Sequence, residues 1–131
     1  MAAIIGFKYS DAISPGSAVI VGASEGVVAL PGDAGAGVFA GVFSAMGNEP
    51  KDKPNTNDSV GITVHGLCKV RVSGAVTAFS FGKVADATGA IAVLGAAPAT
   101  PVTVAGFFME PGADGELVDF FVQRAYIPSL A

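Results

Sequence analysis

Ionised side chains are scarce in this sequence. Only 14% of its 131 residues are charged and 51% are apolar, whereas ordinary soluble domains carry roughly 25% charged residues. A single domain of this size exposes about 6,300 Å². Eighteen charged side chains, seven basic and eleven acidic, cover such an area thinly. We therefore expect part of the surface to be buried against other subunits or a partner.

Basic residues and cysteines are also few. The net charge is −4, and Lys69 and Arg71 are the only close basic pair on a predicted strand. Nucleic-acid binding needs a basic face, so the sequence predicts no nucleic-acid partner. The single cysteine, Cys68, excludes an intramolecular disulfide and is typical of a reducing compartment.

A long uninterrupted apolar run is missing as well. The longest uncharged stretch, residues 87–109, has the length of a membrane span. It contains Pro98 and Pro101, however, which would break a spanning helix. The N-terminus has no basic region before its short apolar run. We expect neither a membrane span nor a secretion signal.

What the sequence does contain is a pattern of short strands and turns. Eighteen glycines and eight prolines separate runs rich in Val, Ile, Phe and Thr. No stretch has helical periodicity with caps. The predicted strands are residues 17–21, 26–30, 37–45, 60–65, 67–73, 79–84, 90–94, 102–109 and 116–124. The predicted fold class is all-β, a small β-barrel or sandwich.

Alternation is clearest in the strand at 67–73. Cys68, Val70 and Val72 share one face, which we expect to be core. Lys69 and Arg71 share the other face.

The strand at 116–124 repeats this pattern with one exception. Val118, Phe120 and Val122 predict a buried face, and Asp119 lies on the opposite one. Phe121 puts a large aromatic on that outward side, which is most often an interface contact or a second core layer.

Residues 47–58 are the one strongly polar tract and hold five of the eighteen charges. They predict a solvated loop between two strands, with a contact loop on the outer surface as the alternative. Flanking this tract is a weak internal echo. Residues 40–45 followed by 60–64 resemble 105–110 followed by 117–122, as in a barrel or sandwich built from related halves, although generic strand composition can produce the same likeness.

Two motifs resemble catalytic or nucleotide-binding sequences. Residues 22–26 match the G-x-S-x-G elbow of hydrolases, with Ser24 as the nucleophile and His65 as the only possible base. A strand, not a helix, is predicted after it, so a turn between strands explains it better. Residues 35–40 imitate a dinucleotide fingerprint but lack the helix that must follow. One His and one Cys cannot complete a zinc site. We therefore predict no enzyme, cofactor or small-molecule substrate.

The order of segments resembles the decoration (cement) proteins of tailed bacteriophages. The resemblance covers about residues 14–124 and is carried by residues 14–22, 40–43, 65–70 and 105–122. The last segment is the most specific. It has an Ala-Gly start, an acidic Pro-Gly-x-x-Gly-Glu turn and a closing apolar strand. The polar tract at 47–58 departs from the usual pattern.

The resemblance implies a β-barrel or β-tulip-like domain at 14–131, preceded by an extended N-terminal arm at 1–13. It also implies a homotrimer on the outer surface of the virion, present in the host cytoplasm during assembly, that bridges neighbouring major capsid proteins. Such arms can add a strand or an apolar latch to the shell. The expected latch residues are Ile4, Ile5, Phe7 and Tyr9, and the expected subunit-interface residues are Phe107 and Phe121.

Three alternatives stay open. The N-terminal residues can instead form the first strand of the core or a disordered tail. The protein can be another virion β-domain, such as a tail tube or a fibre base. A small serine hydrolase using Ser24 is the remaining alternative.

Overall fold

The computed structural model describes residues 2–46, 51, 55–94 and 102–127. These residues form nine strands and one 3-10 turn at Asp33–Gly35. The strands are β1 Ala3–Tyr9, β2 Ser17–Val21, β3 Val27–Ala29, β4 Phe39–Phe43, β5 Asn55–Arg71, β6 Phe81–Val84, β7 Ile91–Val93, β8 Val102–Phe108 and β9 Leu117–Ile127. The prediction of an all-β fold with a small barrel is confirmed.

Five strands close into a barrel in the order β1, β3, β2, β4, β5 and back to β1. The closing pair is antiparallel, with Ala3 opposite His65 and Phe7 opposite Val60. The barrel has its own core, which consists of Tyr9, Ile13, Val19, Val28, Ala40, Phe43, Val60 and Ile62.

The second sheet has the order β5, β9, β8, β6, β7. It curls until Val72, just beyond β5, forms a parallel bridge with Ile91 in β7. Its inner face packs on the outer wall of the barrel, where β2 and β4 contribute Ala18, Phe39 and Val42. The rest of this core consists of Cys68, Val70, Val72, Val76, Ile91, Ala105, Phe108, Val118, Phe120 and Val122.

Strand β4 serves both cores because its alternation is interrupted. Ala40 and Phe43 face the barrel interior, whereas Phe39 and Val42 face the second sheet. A register shift between β2 and β4 places the extra residue beside Gly41. A Cβ on Gly41 would lie 2.5 Å from the Thr63 carbonyl oxygen, so only glycine permits β5 to approach this closely.

Strand β5 corrects a sequence-based expectation. The predicted strand at 60–65 and most of the one at 67–73 belong to one 17-residue strand that passes through Gly66 and ends at Arg71. Gly66 has φ +103, a conformation that favours glycine. At this residue the partner strand changes from β1 to β9. The glycine redirects the strand from the barrel into the second sheet instead of ending it.

The N-terminal segment also differs from the extended arm expected at 1–13. Residues 3–9 are strand β1, paired with β5 along most of its length and with β3 at Lys8 and Tyr9. Tyr9 and Ile13 are buried in the barrel core. The alternative expectation, a first core strand, describes this segment, because the barrel cannot close without β1.

The predicted alternation of the second sheet is confirmed. Cys68, Val70 and Val72 are buried, as are Val118, Phe120 and Val122. The polar tract is shorter than predicted. Residues 55–58 already belong to β5, Lys51 bridges Ile13, and residues 47–50 and 52–54 lie outside the described part of the chain.

The internal echo has a structural counterpart. Gly41 in β4 and Gly106 in β8 each follow a buried alanine, Ala40 or Ala105, and each lies beside a register irregularity. The pairing of the two halves differs, however. β8 pairs with β9 over most of its length, whereas β4 meets β5 at a single residue pair. None of the helices in the described residues is long and apolar enough to cross a bilayer.

Candidate assembly interface

A row of apolar side chains crosses the outer face of the second sheet. Leu67 in β5 lies opposite Phe121 in β9, which lies opposite Phe107 in β8, which lies opposite Phe81 in β6. We call these four residues the aromatic row. All four point away from the core of the second sheet, because side chains alternate along each strand.

The aromatic row is ordered by contacts between its own members. The rings of Phe107 and Phe121 stack with centroids 5.3 Å apart and planes 23° apart. His65 meets the Phe121 ring edge-on, also at 5.3 Å. Leu67 and Phe81, at the two ends, are exposed. Preordered aromatic side chains lose little further conformational entropy on binding, a property of interface anchors.

Phe79 extends the apolar surface beyond β6. Its side chain is 73% exposed, the largest exposed fraction among the large hydrophobic residues described, and its φ is +64. Such a backbone conformation costs a non-glycine residue on the order of 1–3 kcal/mol. The Phe79 N–H donates to the Phe108 carbonyl over 2.7 Å, and the Ser80 hydroxyl donates to the Thr77 carbonyl. The turn therefore holds an aromatic ring in water at an energetic cost.

Charged groups border the aromatic row on one side. Lys69 Nζ lies 2.9 Å from Asp119 Oδ1 and 3.9 Å from Glu110 Oε1. The hydrogen bond to Asp119, with the fields of Asp119 and Glu110, raises the pKa of Lys69 above its ordinary value against an opposing desolvation effect. Since Lys69 and Asp119 lie directly opposite each other on β5 and β9, the cation and the carboxylate balance within this face.

On the opposite side of β5, Cys68 is shielded from water. Burial, with a smaller contribution from Asp119, raises the pKa of its thiol to about 12. The thiol therefore stays protonated at neutral pH, and neutral thiols are poor nucleophiles. Cys68 functions as a small core residue.

The four residues expected to contact a shell occupy two different environments. Ile4 and Ile5 are 63% and 50% exposed. Tyr9 is buried and Phe7 packs against the barrel core. Ile4 lines a surface depression of about 220 Å³ together with Met46 and Leu67. Ile4 therefore adjoins the end of the aromatic row.

Phe107 and Phe121, the residues expected at a subunit interface, stand at the centre of the row. Sequence reasoning identified Phe121 from its broken alternation but missed Leu67, Phe79 and Phe81. Leu67 carried a usable signal, since it is out of phase with the buried Cys68 and Val70. The exposure of Phe79 depends on a turn conformation that no periodic pattern reveals.

The remaining motifs have structural explanations in the described residues. The Val27 N–H donates to the Ser24 carbonyl in the turn between β2 and β3, and the strand β3 follows where a hydrolase elbow needs a helix. His65, the only possible base, contacts Phe121. The glycine-rich segment at 35–40 is a turn entering β4. No group of three or more His, Cys, Asp or Glu side chains that could hold a metal is found in the described part of the chain.

No protein-family model and no curated protein sequence matches this chain. Among solved structures, the chain is similar to the crystal structure of the N base of head fiber gp8.5 from bacteriophage phi29. The TM-score is 0.59 and the sequences are 12% identical, over 94% of this chain and 95% of that chain. At this level of identity the likeness is one of fold, and it extends over both the barrel and the second sheet.

Proposed function

We propose that this protein is a structural component of a tailed-phage virion that decorates the outside of the head and catalyses no reaction. The observation that carries the proposal is the fold likeness, which spans nearly the full length of both chains, to a protein described as the base of a phage head fiber. The aromatic row supports the same function, since a continuous apolar surface on a soluble chain marks an interaction site.

In this proposal the protein associates with itself as a homotrimer through the aromatic row. A specific interface buries about 800 Å² on each partner. Full burial of an aromatic side chain contributes about 150–250 Å². The exposed parts of the four row residues and Phe79 therefore supply a large share of one side of such an interface. Phe107 and Phe121, at its centre, are its anchors.

Contact with the shell is assigned to Ile4 and Ile5. Both are exposed although they lie in β1, a strand held in place by the barrel. Tyr9 is buried and Phe7 packs against the barrel core, so neither is assigned to the shell contact. Three such footprints in one trimer bind far more tightly than one, because the second and third contacts form at high effective concentration. Binding only the expanded shell stabilises that state by mass action.

The experiment is co-sedimentation with expanded shells assembled from the major capsid protein of the same phage. We expect the wild-type protein to saturate the shells and the double variant Ile4→Ser, Ile5→Ser to remain in the supernatant as a folded trimer. Leu117→Ser is the matched control, since Leu117 is an exposed aliphatic residue away from β1. If the double variant saturates shells as the wild type does, the assigned contact is wrong.

A base for a head fibre is the second candidate, favoured by the description of the similar structure. The two functions differ in whether further protein extends outward from this domain. Cryo-EM of saturated shells distinguishes them. A decoration protein ends at its own domain, whereas a fibre base carries further protein density outward. Both candidates are wrong if the wild-type protein neither binds shells nor associates with itself. They are also wrong if a serine-reactive probe labels the wild-type protein and fails to label Ser24→Ala.

A further inference from the structure

The two ends of the barrel interior are filled to different extents. At one end Phe43, Ile13 and Tyr9 are buried in the core. At the other end a cavity of about 330 Å³ opens to the surface beneath the turn between β2 and β3. Its lining consists of Phe7, Val21, Ser24, Glu25, Gly26, Val27, Val28, Ala40, Val64 and Arg124. The small side chain of Ala40 leaves this end open, because the larger Phe43 on the same strand fills the opposite one.

The cavity continues into an exposed apolar rim. Val21 lines it and is 56% exposed, and the Val21 N–H donates to the carbonyl of the exposed Val38 over 2.9 Å. We call the cavity, Val21 and Val38 the barrel mouth. An eight-stranded barrel is just wide enough for side chains to fill it, so a narrower five-stranded barrel has room only for side chains. An open end of its interior can therefore accept a side chain from another molecule.

Charges of both signs surround the barrel mouth. Arg124 and Glu25 line the cavity, so its lining contains one cation and one anion. Neither Arg124 nor Glu25 forms an ion pair within the described part of the chain.

The barrel mouth and the Phe79 turn lie at different places along β9. Phe79 is hydrogen-bonded to Phe108, which lies opposite Phe120, four residues along β9 from Arg124. Four residues span about 13 Å of strand, so Phe79 cannot reach the mouth of its own chain.

Cyclic trimers require two such different surfaces. Each subunit presents one patch to the neighbour on its left and another to the neighbour on its right, and the two patches must be complementary. The exposed Phe79 turn protrudes and is called the knob below, and the barrel mouth is the recess, or hole, that can receive it. A cavity of about 150 Å³ accepts benzene, so 330 Å³ holds a phenyl ring with its backbone attachment.

The charges near the two surfaces are consistent with the same pairing. The segment between β8 and β9 has three acids and no base, namely Glu110, Asp114 and Glu116. It lies beside the Phe79 turn, because Val76 pairs with Gly112 and the Gly74 N–H donates to Asp114. The lining of the barrel mouth, with one cation and one anion, does not repel this acidic segment as a second copy of the segment would, which favours head-to-tail contact over head-to-head.

We propose that Phe79 of one copy inserts into the barrel mouth of the next copy and that three such contacts close the ring. This inference rests on the proposed homotrimer. The aromatic row and Phe79 form one side of the subunit interface, and the barrel mouth of the neighbouring copy forms the other side. This contact also accounts for the unfavourable backbone of Phe79, since the turn that exposes the ring in the single chain buries it in the trimer.

The test uses two variants of the full chain, Phe79→Asn and Val21→Arg. Asparagine tolerates positive φ well, so the first variant removes the ring without straining the turn. Val21 is exposed, so arginine there fills the mouth with charge from the surface and leaves the core intact. In sedimentation equilibrium, we expect each variant alone to be a folded monomer, with an association constant lowered at least tenfold. We expect Phe79→Leu, which keeps an apolar side chain at this position, to have an association constant between those of the wild type and Phe79→Asn.

Mixing the two variants makes the test specific. Phe79→Asn keeps an intact mouth and Val21→Arg keeps an intact knob, so an equimolar mixture forms one productive contact and yields heterodimers but no closed trimer. Wild-type association by either single variant overturns the inference, and so does a mixture that stays monomeric. If Phe121→Ser abolishes the trimer while Phe79→Asn and Val21→Arg both keep it, the homotrimer stands and the contact between Phe79 and the barrel mouth is wrong. A monomeric wild type that binds no shells refutes the proposed function itself.

Discussion

The barrel and the second sheet bury their apolar faces in different ways. The barrel closes on itself, so its inner face is hidden without help from any other element. The second sheet cannot do this. It buries one face on the outer barrel wall and leaves the aromatic row on the other face in water. A continuous row of apolar side chains therefore remains on the outer face of the second sheet, and this comparison is the basis for placing the proposed subunit contact there.

Neighbouring phenylalanines on β8 provide the sharpest test of that comparison. Phe108 is fully buried and packs edge-on against Phe120 at 5.0 Å, whereas Phe107 belongs to the aromatic row. Truncating a buried phenylalanine costs about 3–5 kcal/mol. We expect Phe108→Ala to lose that much in the free energy of unfolding, measured by urea denaturation at a fixed low protein concentration.

Phe107→Ala is the control on the adjacent residue and should lose about 1 kcal/mol or less at the same concentration. It should weaken self-association instead, visible as a lower mass by light scattering. Equal losses of unfolding free energy for the two variants would mean that the outer face contributes to the fold as much as the inner face does.

Two glycines compare the tightness of two ladders, the one between β8 and β9 and the one between β1 and β5. A Cβ on Gly106 in β8 would overlap the carbonyl oxygen of Phe121, whereas a Cβ on Gly6 in β1 would make ordinary contact with Ser59 at 3.5 Å. We expect Gly106→Ala to destabilise the protein by about 2–4 kcal/mol, because the pairing of β8 with β9 must shift.

Gly6→Ala should be neutral or slightly stabilising, by up to about 1 kcal/mol, because alanine restricts the unfolded chain. Thermal melts of the two variants side by side check both values. A large loss for Gly6→Ala would show that β1 tolerates substitution no better than β8 does.

Ala40 and Ala105 occupy echoed positions and test how full the two cores are. Ala40 borders the open barrel mouth, whereas Ala105 is enclosed in the core of the second sheet. Overpacking a dense core costs about 1–3 kcal/mol, which we expect for Ala105→Val. The cavity beside Ala40 has room for the larger side chain. Ala40→Val should therefore lower the free energy of unfolding by no more than about 0.5 kcal/mol, or should raise it. Chemical denaturation measures both, and a costly Ala40→Val would show that the mouth is not open.

The smallest effect at neutral pH concerns Cys68, where we expect none. Its pKa is about 12 in the folded chain and 9.0 in the reference thiol, so the unfolded state loses its proton first as pH rises. Stability should therefore be unaffected below pH 9 and fall between about pH 9 and 12. The raised pKa of Lys69 acts in the same direction. Cys68→Ala should remove its own part of this fall and leave the part due to Lys69.

Thiol labelling gives an independent measurement of the same burial. Maleimide should label Cys68 at neutral pH only when the chain unfolds, so labelling and unfolding transitions in urea should coincide. Fast labelling of the native protein would contradict the burial of Cys68 in the core.

Much of the second sheet was predictable because its strands bury one face and expose the other. Cys68, Val70 and Val72 define that face unambiguously. The barrel was harder to predict. Ile4, Ile5, Phe7 and Tyr9 read equally well as a latch for a partner or as a core strand, since a pattern of apolar residues does not say which chain supplies the opposite strand. Gly66 likewise predicted a break, although its positive φ allows β5 to continue.

The candidate interface was predictable only in part. Phe121 stood out because it violates the alternation of its own strand. The aromatic row as a whole depends on cross-strand register, which pairs Leu67 with Phe121 and Phe107 with Phe81. The barrel mouth depends on which end of a closed barrel receives Ala40. Such properties arise from long-range pairing and have no local signature.

Strand β5 has a mechanical consequence. β1 and β9 grip successive parts of one unbroken 17-residue strand through antiparallel ladders. A pull applied to β1 and opposed at β9 runs along the strand axis and loads many backbone hydrogen bonds at once, in shear, instead of opening them one after another as a zipper. We therefore expect the domain to resist force best along the axis of β5, between β1 and β9.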